Sequence, residues 1–275
     1  MSRSHDTQRA PTAAEEAALL ARGDLELTGR VVPASNLTFQ GRLTLDGLAM
    51  RCIYKPVQGE RPLWDFPDGT LADREVSAFL VSEALGWSVV PPTLLRDGPA
   101  GAGMVQAWRE PDPAQAPVDI VPLGDVQPGY LHVLDAVDGD ERPVTLVHED
   151  TPALRRMAVL DVVINNADRK GGHVLAMPDG HRHGVDHGVC FHTDDKLRTV
   201  LWGWADEPVH ADDIPDLAAL AATLEDPDSG LCRRLGELLS LREVEATRQR
   251  CRDLLAELRM PVPTGRWPAI PWPAF

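Results

Sequence analysis

The sequence predicts an α+β protein with a β-rich first half and a mainly helical second half. Three observations predict it. Residues 25–108 hold about five short β-type runs around one amphipathic segment, residues 151–259 carry helical periodicity, and a proline- and aspartate-rich stretch lies between them. The 275 residues suit one large domain or two closely packed lobes, and an apolar share of 43% supplies a core. A formal net charge of −15 argues against a general nucleic-acid binder, which needs a basic patch to displace counterions, and against docking on anionic membrane. Residues 1–12 carry no apolar signal core, and no run approaches the length of a membrane span. The four cysteines, Cys52, Cys190, Cys232 and Cys251, are scattered. These features predict a reduced, cytoplasmic protein without stable membrane insertion.

Along the chain, residues 1–12 read as a tail and Ala13–Arg22 as an Ala/Glu/Leu-rich helix ended by Gly23. Strands follow over 25–32, 37–45 and 49–56, with a turn at Pro33-Ala34-Ser35-Asn36 and a hairpin at Asp46-Gly47, where both residues must reach positive φ. A Pro/Gly/Asp-rich loop spans 58–70. In the helix predicted over 71–85, Leu71, Val76, Phe79, Leu80 and Ala84 form one apolar stripe, and Gly86 closes it. Strands over 89–95 and 103–108 complete the first unit, 25–108, and 109–150 reads as hinge and linker. Thr151 as N-cap and Pro152 in the first turn open a helix running to Ile164. Short strands over 174–177 and 183–185 and helices over 216–224, 230–239 and 241–258 complete the second unit, 151–259. The Pro/Trp-rich stretch 260–275 is expected to lie extended across the surface.

Residues suited to phosphoryl transfer occur in a particular order. A triphosphate needs a cation on a rigid strand, which Lys55 supplies, and that cation needs an acidic partner, which Glu75 supplies twenty residues later. An acceptor hydroxyl needs a carboxylate to orient it and take its proton, a role suited to Asp168. A Mg²⁺ or Mn²⁺ ion needs oxygen or imidazole ligands, and His173 and Asp186 flank a strand–turn–strand that lets them converge. The segment Asn165-Asn166-Ala167-Asp168-Arg169-Lys170-Gly171-Gly172-His173 is the most specific piece. It puts a cluster of polar residues and glycines directly after a strongly apolar helix.

These motifs resemble the phosphatidylinositol 3-/4-kinase-like branch of the protein-kinase-like fold. The likeness is greatest to actinobacterial kinase-related proteins, with HipA-type kinases more distant. The resemblance covers roughly residues 25–204. It is carried by Arg74-Glu75-Val76-Ser77-Ala78-Phe79-Leu80 with Leu85-Gly86 and Val90-Pro91-Pro92-Thr93, by Asp161 with Asn165-Asn166-Ala167-Asp168-Arg169, and by Val185-Asp186-His187-Gly188. It implies a bilobal fold with ATP in the cleft. It further implies Ser35 and Asn36 over the phosphates, Gln106 and Trp108 at a hinge against adenine, and Asp161, with Arg169, bracing the catalytic loop.

Two departures from the family pattern sharpen the expectation. The metal-binding asparagine of the family is His173 here, a softer ligand that favours Mn²⁺ or predicts weak activity. Lys170 stands two residues after Asp168, where lipid kinases of the branch carry histidine, and it neutralises charge on the transferring group. The expected acceptors are a protein hydroxyl (this chain's own included), a small molecule or an inositol lipid. Lys196, Arg198 and Arg182 are candidates for a local anion site. The rival readings are a nucleotide-binding pseudokinase scaffold, adenylate transfer by the same cleft, and a zinc hydrolase built on His181, His183, His187 and His192. Only three of 27 basic residues are lysine (Lys55, Lys170 and Lys196), and all three fall in elements predicted to face the site.

Overall fold

The computed structural model describes residues 9–32, 36–265 and 267–275. Helix α1, Ala13–Arg22, starts at a capping box in which Thr12 and Glu15 satisfy each other's backbone donors. It lies on a five-stranded antiparallel sheet formed by β1 (Asp24–Arg30), β2 (Phe39–Leu45), β3 (Leu48–Pro56), β4 (Thr93–Gly98) and β5 (Gly101–Ala107), in the order β1-β2-β3-β5-β4. Asp46 and Gly47 adopt φ of 48° and 78°, and the hairpin closes at Leu45 opposite Leu48, as the Asp-Gly signal requires. Leu19 and Leu20 of α1 bury against Leu43, Cys52, Tyr54, Val105 and Ala107, which form a small separate core. The strand expected from residue 89 begins only at Thr93, because Pro91 and Pro92 supply no N–H to a ladder. On β5, a Cβ at Gly103 would lie 2.4 Å from the Lys55 carbonyl, so glycine is what lets β5 pass β3 this closely.

Helix α2, Leu71–Ala84, begins at a Thr70–Asp73 capping box and ends before Gly86, whose φ is 69°. Its buried face joins the core of the second half rather than that of the sheet: Val76, Ala78 and Val81 share a cluster with Leu154, Met157 and Leu160. A buried ion pair at 2.5 Å, Arg74 with Glu243, ties the same helix to the far end of the chain. Residues carried by α2 are therefore fixed relative to the second half.

The stretch read as hinge and linker holds a second antiparallel sheet. Its strands β6 (Val118–Pro122), β7 (Tyr130–Val137) and β8 (Pro143–Glu149) run in the order β6-β8-β7. Residues 145–149 of β8 are buried, and the His148 ring packs 4.3 Å from that of Trp204. The signal lay in the Val144-Thr145-Leu146-Val147 run and the Asp138-Gly139 turn, masked by the surrounding prolines and aspartates.

Six further elements complete the second half: α3 (Pro152–Ile164), β9 (Val174–Ala176), β10 (Arg182–Gly184), α4 (Ile214–Glu225), α5 (Gly230–Leu238) and α6 (Leu241–Glu257). Thr151, Ser229 and Ser240 cap α3, α5 and α6 through their side-chain oxygens. The result is an α+β fold in which α2, α3 and the loops around β9 and β10 meet at one place. Among the described residues, no helix is long and apolar enough to cross a membrane.

Candidate functional site

Lys55 stands near the end of β3, opposite Met104. Its ammonium lies 2.6 Å from Glu75 Oε1 and 2.7 Å from Asp186 Oδ1. Glu75 is 1% exposed, and its second oxygen accepts from the His187 backbone N–H at 2.9 Å. Burial alone would depress the Lys55 pKa, but the Asp186 and Glu75 carboxylates outweigh it and hold the ammonium above its ordinary value. Asp186 is pushed well below the usual carboxylate range, first by Lys55 and against the opposing effect of burial. Its backbone is left-handed, φ 63°, a conformation that aspartate tolerates better than most residues.

The loop after α3 is built by its two asparagines. Asn165 ends the helix with φ 53°, the left-handed cap position. Its amide donates to the carbonyls of His192 and Asp194, and its oxygen accepts from the Lys196 N–H at 3.0 Å. Asn166 donates to Asp161 Oδ1 at 2.9 Å and accepts from the Asp168 N–H at 3.0 Å. Beneath them Arg169 and Asp161, both fully buried, form two parallel bonds of 2.8 Å. Arg169 also donates to the Val185 carbonyl at 3.1 Å and to His187 Nε2 at 2.7 Å, so one guanidinium joins this loop to the Asp186 turn.

With its neighbours committed, Asp168 is left partly exposed, with Lys170 Nζ 3.5 Å away. Burial raises its pKa while Lys170 opposes the rise, which leaves a carboxylate more basic than an ordinary surface aspartate. His173 Nδ1–H donates to the Asp168 carbonyl at 3.0 Å. Burial lowers its pKa to about 4, so the ring is neutral and Nε2 carries a lone pair. That lone pair faces Asp186 Oδ2 at 3.4 Å with no proton between them. Two acceptors opposed in this way suit a divalent cation, and imidazole plus carboxylate is a donor set that Mn²⁺ or Mg²⁺ accepts. Among the described residues, no group of three or more His, Cys, Asp or Glu side chains gathers as a metal site.

Lys55, Glu75, Asp161, Asp168, Arg169, Lys170, His173 and Asp186 are thus brought together. The remaining residues fall out differently. Asn36 lines a small hollow with Lys55, Glu75 and Asp186, and its side-chain oxygen accepts from the Arg61 N–H at 2.9 Å. Ser35 lies outside the described residues. Gln106 is 3% exposed, and its side-chain amide donates to the Thr93 hydroxyl at 2.8 Å. Trp108 is half-buried, covered by the Arg51 guanidinium at 4.2 Å, with its indole N–H spent on Glu110 at 2.9 Å.

The anion site of Lys196, Arg182 and Arg198 also does not gather. Arg182 is neutralised by Glu149 at 2.6 Å and Lys196 by Asp65 at 2.8 Å. Of the three lysines, Lys55 and Lys170 face the site, whereas Lys196 joins the loop before α2 to Trp267, 4.7 Å from its ring. The four histidines of the zinc reading separate. His181 and His183 pack on each other, His187 serves Arg169, and His192 packs on Phe66. The role of His187 as the link between Arg169 and Glu75 went unread in the sequence, because nothing in the spacing places those two side chains on either side of it.

A cavity of about 470 Å³ lies between α6 and the residues around Trp267; Asn165 lines it, but Lys55, Glu75, Asp168, His173 and Asp186 do not. The charged cluster at Lys55 is the better functional candidate, because its residues bear chemistry and converge from four separate segments.

No protein-family model matches the chain. It is 33% identical over 95 residues to Phosphatidylinositol 4-kinase gamma 4 of Oryza sativa subsp. japonica, an alignment covering 32% of this chain and 16% of that protein. It is 52% identical over 272 residues to Protein Rv2133c of Mycobacterium tuberculosis, covering 95% of this chain and 96% of that protein. The rice kinase supports a hint of kinase kinship over one segment, whereas the mycobacterial match runs nearly end to end, and the chain belongs to the family of Protein Rv2133c.

Proposed function

We propose that this protein is an ATP- and divalent-metal-dependent phosphotransferase that moves the γ-phosphate to a hydroxyl group. The observation that carries the reading is the Lys55 ammonium held between Glu75 and Asp186, residues 20 and 131 positions away along the chain. A part-buried lysine fixed between a buried glutamate and a half-exposed aspartate is the kind of charged cluster that gathers at functional sites. In this role Lys55 turns from Asp186 to the phosphates while Glu75 keeps it aimed. Asp168 orients the acceptor hydroxyl and takes its proton, and Lys170 offsets charge on the transferring group. His173 Nε2 and Asp186 would hold the metal ion, which when bound neutralises phosphate charge. Asp161 and Arg169 fix the loop from below. The partial likeness to a plant phosphatidylinositol 4-kinase supports the same reading.

The test is turnover of γ-labelled ATP with Mg²⁺ and with Mn²⁺, beside Asp168→Ala and Lys55→Met. The expected result is turnover favoured by Mn²⁺, abolished by Asp168→Ala, with weakened ATP binding in Lys55→Met. Binding without turnover under either metal selects the pseudokinase scaffold, for which His173 in place of asparagine is the motivating feature. A product heavier by adenylate rather than phosphate selects adenylate transfer. Unchanged ATP affinity in Lys55→Met refutes the whole cleft assignment.

A further inference from the structure

The stretch 269–275 crosses the second half of the molecule and is anchored at two places. At its start the Ala269 carbonyl accepts from the Thr199 N–H at 3.0 Å and from the Trp202 indole N–H at 2.8 Å. At its end the Ala274 carbonyl accepts from the Gly171 N–H at 2.8 Å, and the Phe275 ring lies over Gly171. Between the anchors, Ile270 packs on the main core and Pro271 is buried.

Gly171 is the informative residue. It is buried, and its φ is not in the left-handed region, so its own backbone does not call for glycine. A Cβ there would lie 2.3 Å from Phe275 Cε1 and 2.7 Å from Cδ1 and Cζ, with no other atom as near. At neighbouring Gly172 a Cβ would meet nothing within 4 Å. A side chain at 171 would therefore meet the Phe275 ring first, and that ring would have to move to admit it. Gly171 directly follows Lys170, which faces Asp168, and lies two residues before His173. Its N–H belongs to the Lys170–Gly171 peptide, so the Ala274 carbonyl sets the tilt of that peptide and gives a buried donor its acceptor. None of the hydrogen bonds of Lys55, Glu75, Asp186 or His173 involves this stretch.

We propose that residues 269–275 form a strap that completes the acceptor side of the site, with Phe275 as a positioning residue that holds the Lys170–Gly171 peptide. The acceptor side is defined by the phosphotransferase reading above, on which this proposal rests. The strap leaves the nucleotide side alone, so it governs kcat and not the KM for ATP.

The experiment uses the full chain as wild type, Phe275→Ala, Phe275→Tyr, Gly171→Ala and the Gly171→Ala/Phe275→Ala double variant. Two readouts are taken: hydrogen exchange over residues 168–173, and turnover of γ-labelled ATP with Mn²⁺. Phe275→Ala and Gly171→Ala each speed exchange of this segment about tenfold and lower kcat about tenfold, while KM for ATP stays within about twofold. Phe275→Tyr restores both. In the double variant the second substitution adds less than about twofold, because the added methyl no longer meets a ring. Unchanged exchange, additive effects, or faster exchange with unchanged kcat overturns the proposal. A rise in turnover overturns it too, since the strap would then be a plug. A wild-type chain that turns over no ATP overturns the phosphotransferase reading, and exchange then still decides whether the strap holds this loop.

Discussion

Replacing Asp161 by asparagine tests the foundation of the site. Asp161 and Arg169 are both 0% exposed and joined by two 2.8 Å bonds, with Asn166 donating to the same carboxylate. The substitution keeps shape and volume but turns one acceptor oxygen into an NH₂ facing donors, and leaves a guanidinium buried without its counter-charge. Removing one member of a buried pair costs about 3–5 kcal/mol. The Val185 carbonyl and His187 Nε2, which Arg169 keeps as acceptors, place the expected loss near 3 kcal/mol at the low end of that range. The assay is urea unfolding followed by tryptophan fluorescence, with Asp161→Leu/Arg169→Met as the companion. The paired apolar replacement removes both charges, so it is expected to be more stable than Asp161→Asn alone by about 2 kcal/mol. A loss below about 1 kcal/mol for Asp161→Asn, or a companion no more stable than it, refutes the reasoning that this pair holds the loop by mutual neutralisation.

Three further outcomes follow from the geometry. Burial depresses both His148 and His183, the latter to about 4 and helped by neighbouring His181, so both are neutral in the folded state and protonate sooner in the unfolded one. The unfolded chain then binds more protons, and stability falls as pH drops below about 6.5; for His183 the fall runs towards about 4, by up to ~1.4 kcal/mol per pH unit; a flat unfolding free energy over that window in His183→Gln and wild type alike contradicts it. Gly103→Ala forces backbone apart, with a Cβ 2.4 Å from the Lys55 carbonyl and 2.7 Å from Pro56 Cα. It is expected to cost about 1–3 kcal/mol and, on the proposed phosphotransferase reading, to lower ATP affinity by shifting Lys55, whereas a wild-type unfolding curve would show that β3 and β5 separate freely. Thr70→Ala removes the cap of α2 that accepts from the Asp73 N–H at 3.0 Å and should lower stability by about 1 kcal/mol in the same urea assay; no loss would mean that the Glu60 carboxylate, which accepts from the Leu71 and Ala72 N–H groups, suffices alone.

Much of the local structure was legible because its signals act over a few residues. Asp46-Gly47 fixed a two-residue hairpin, Thr151-Pro152 opened α3, and Gly86 closed α2, each through φ preferences or an orphan N–H that only neighbouring residues can satisfy. The sheet at 118–149 was masked by the prolines and aspartates around its Val144-Thr145-Leu146-Val147 run, and its packing of His148 against Trp204 is set by tertiary structure. The candidate site divides in the same way. Its residue types and their order along the chain were set by sequence: a strand lysine, a helix glutamate, an aspartate loop and a second aspartate. That Lys55 touches Asp186 across 131 positions, that Gln106 spends its amide inside the sheet, that Arg182 and Lys196 are neutralised at once, and that Phe275 lies on Gly171 were all decided by tertiary structure. The physical reason is that caps and turns are satisfied by backbone groups already nearby, whereas a charge or an amide takes whichever partner loses its water alongside it when the chain closes.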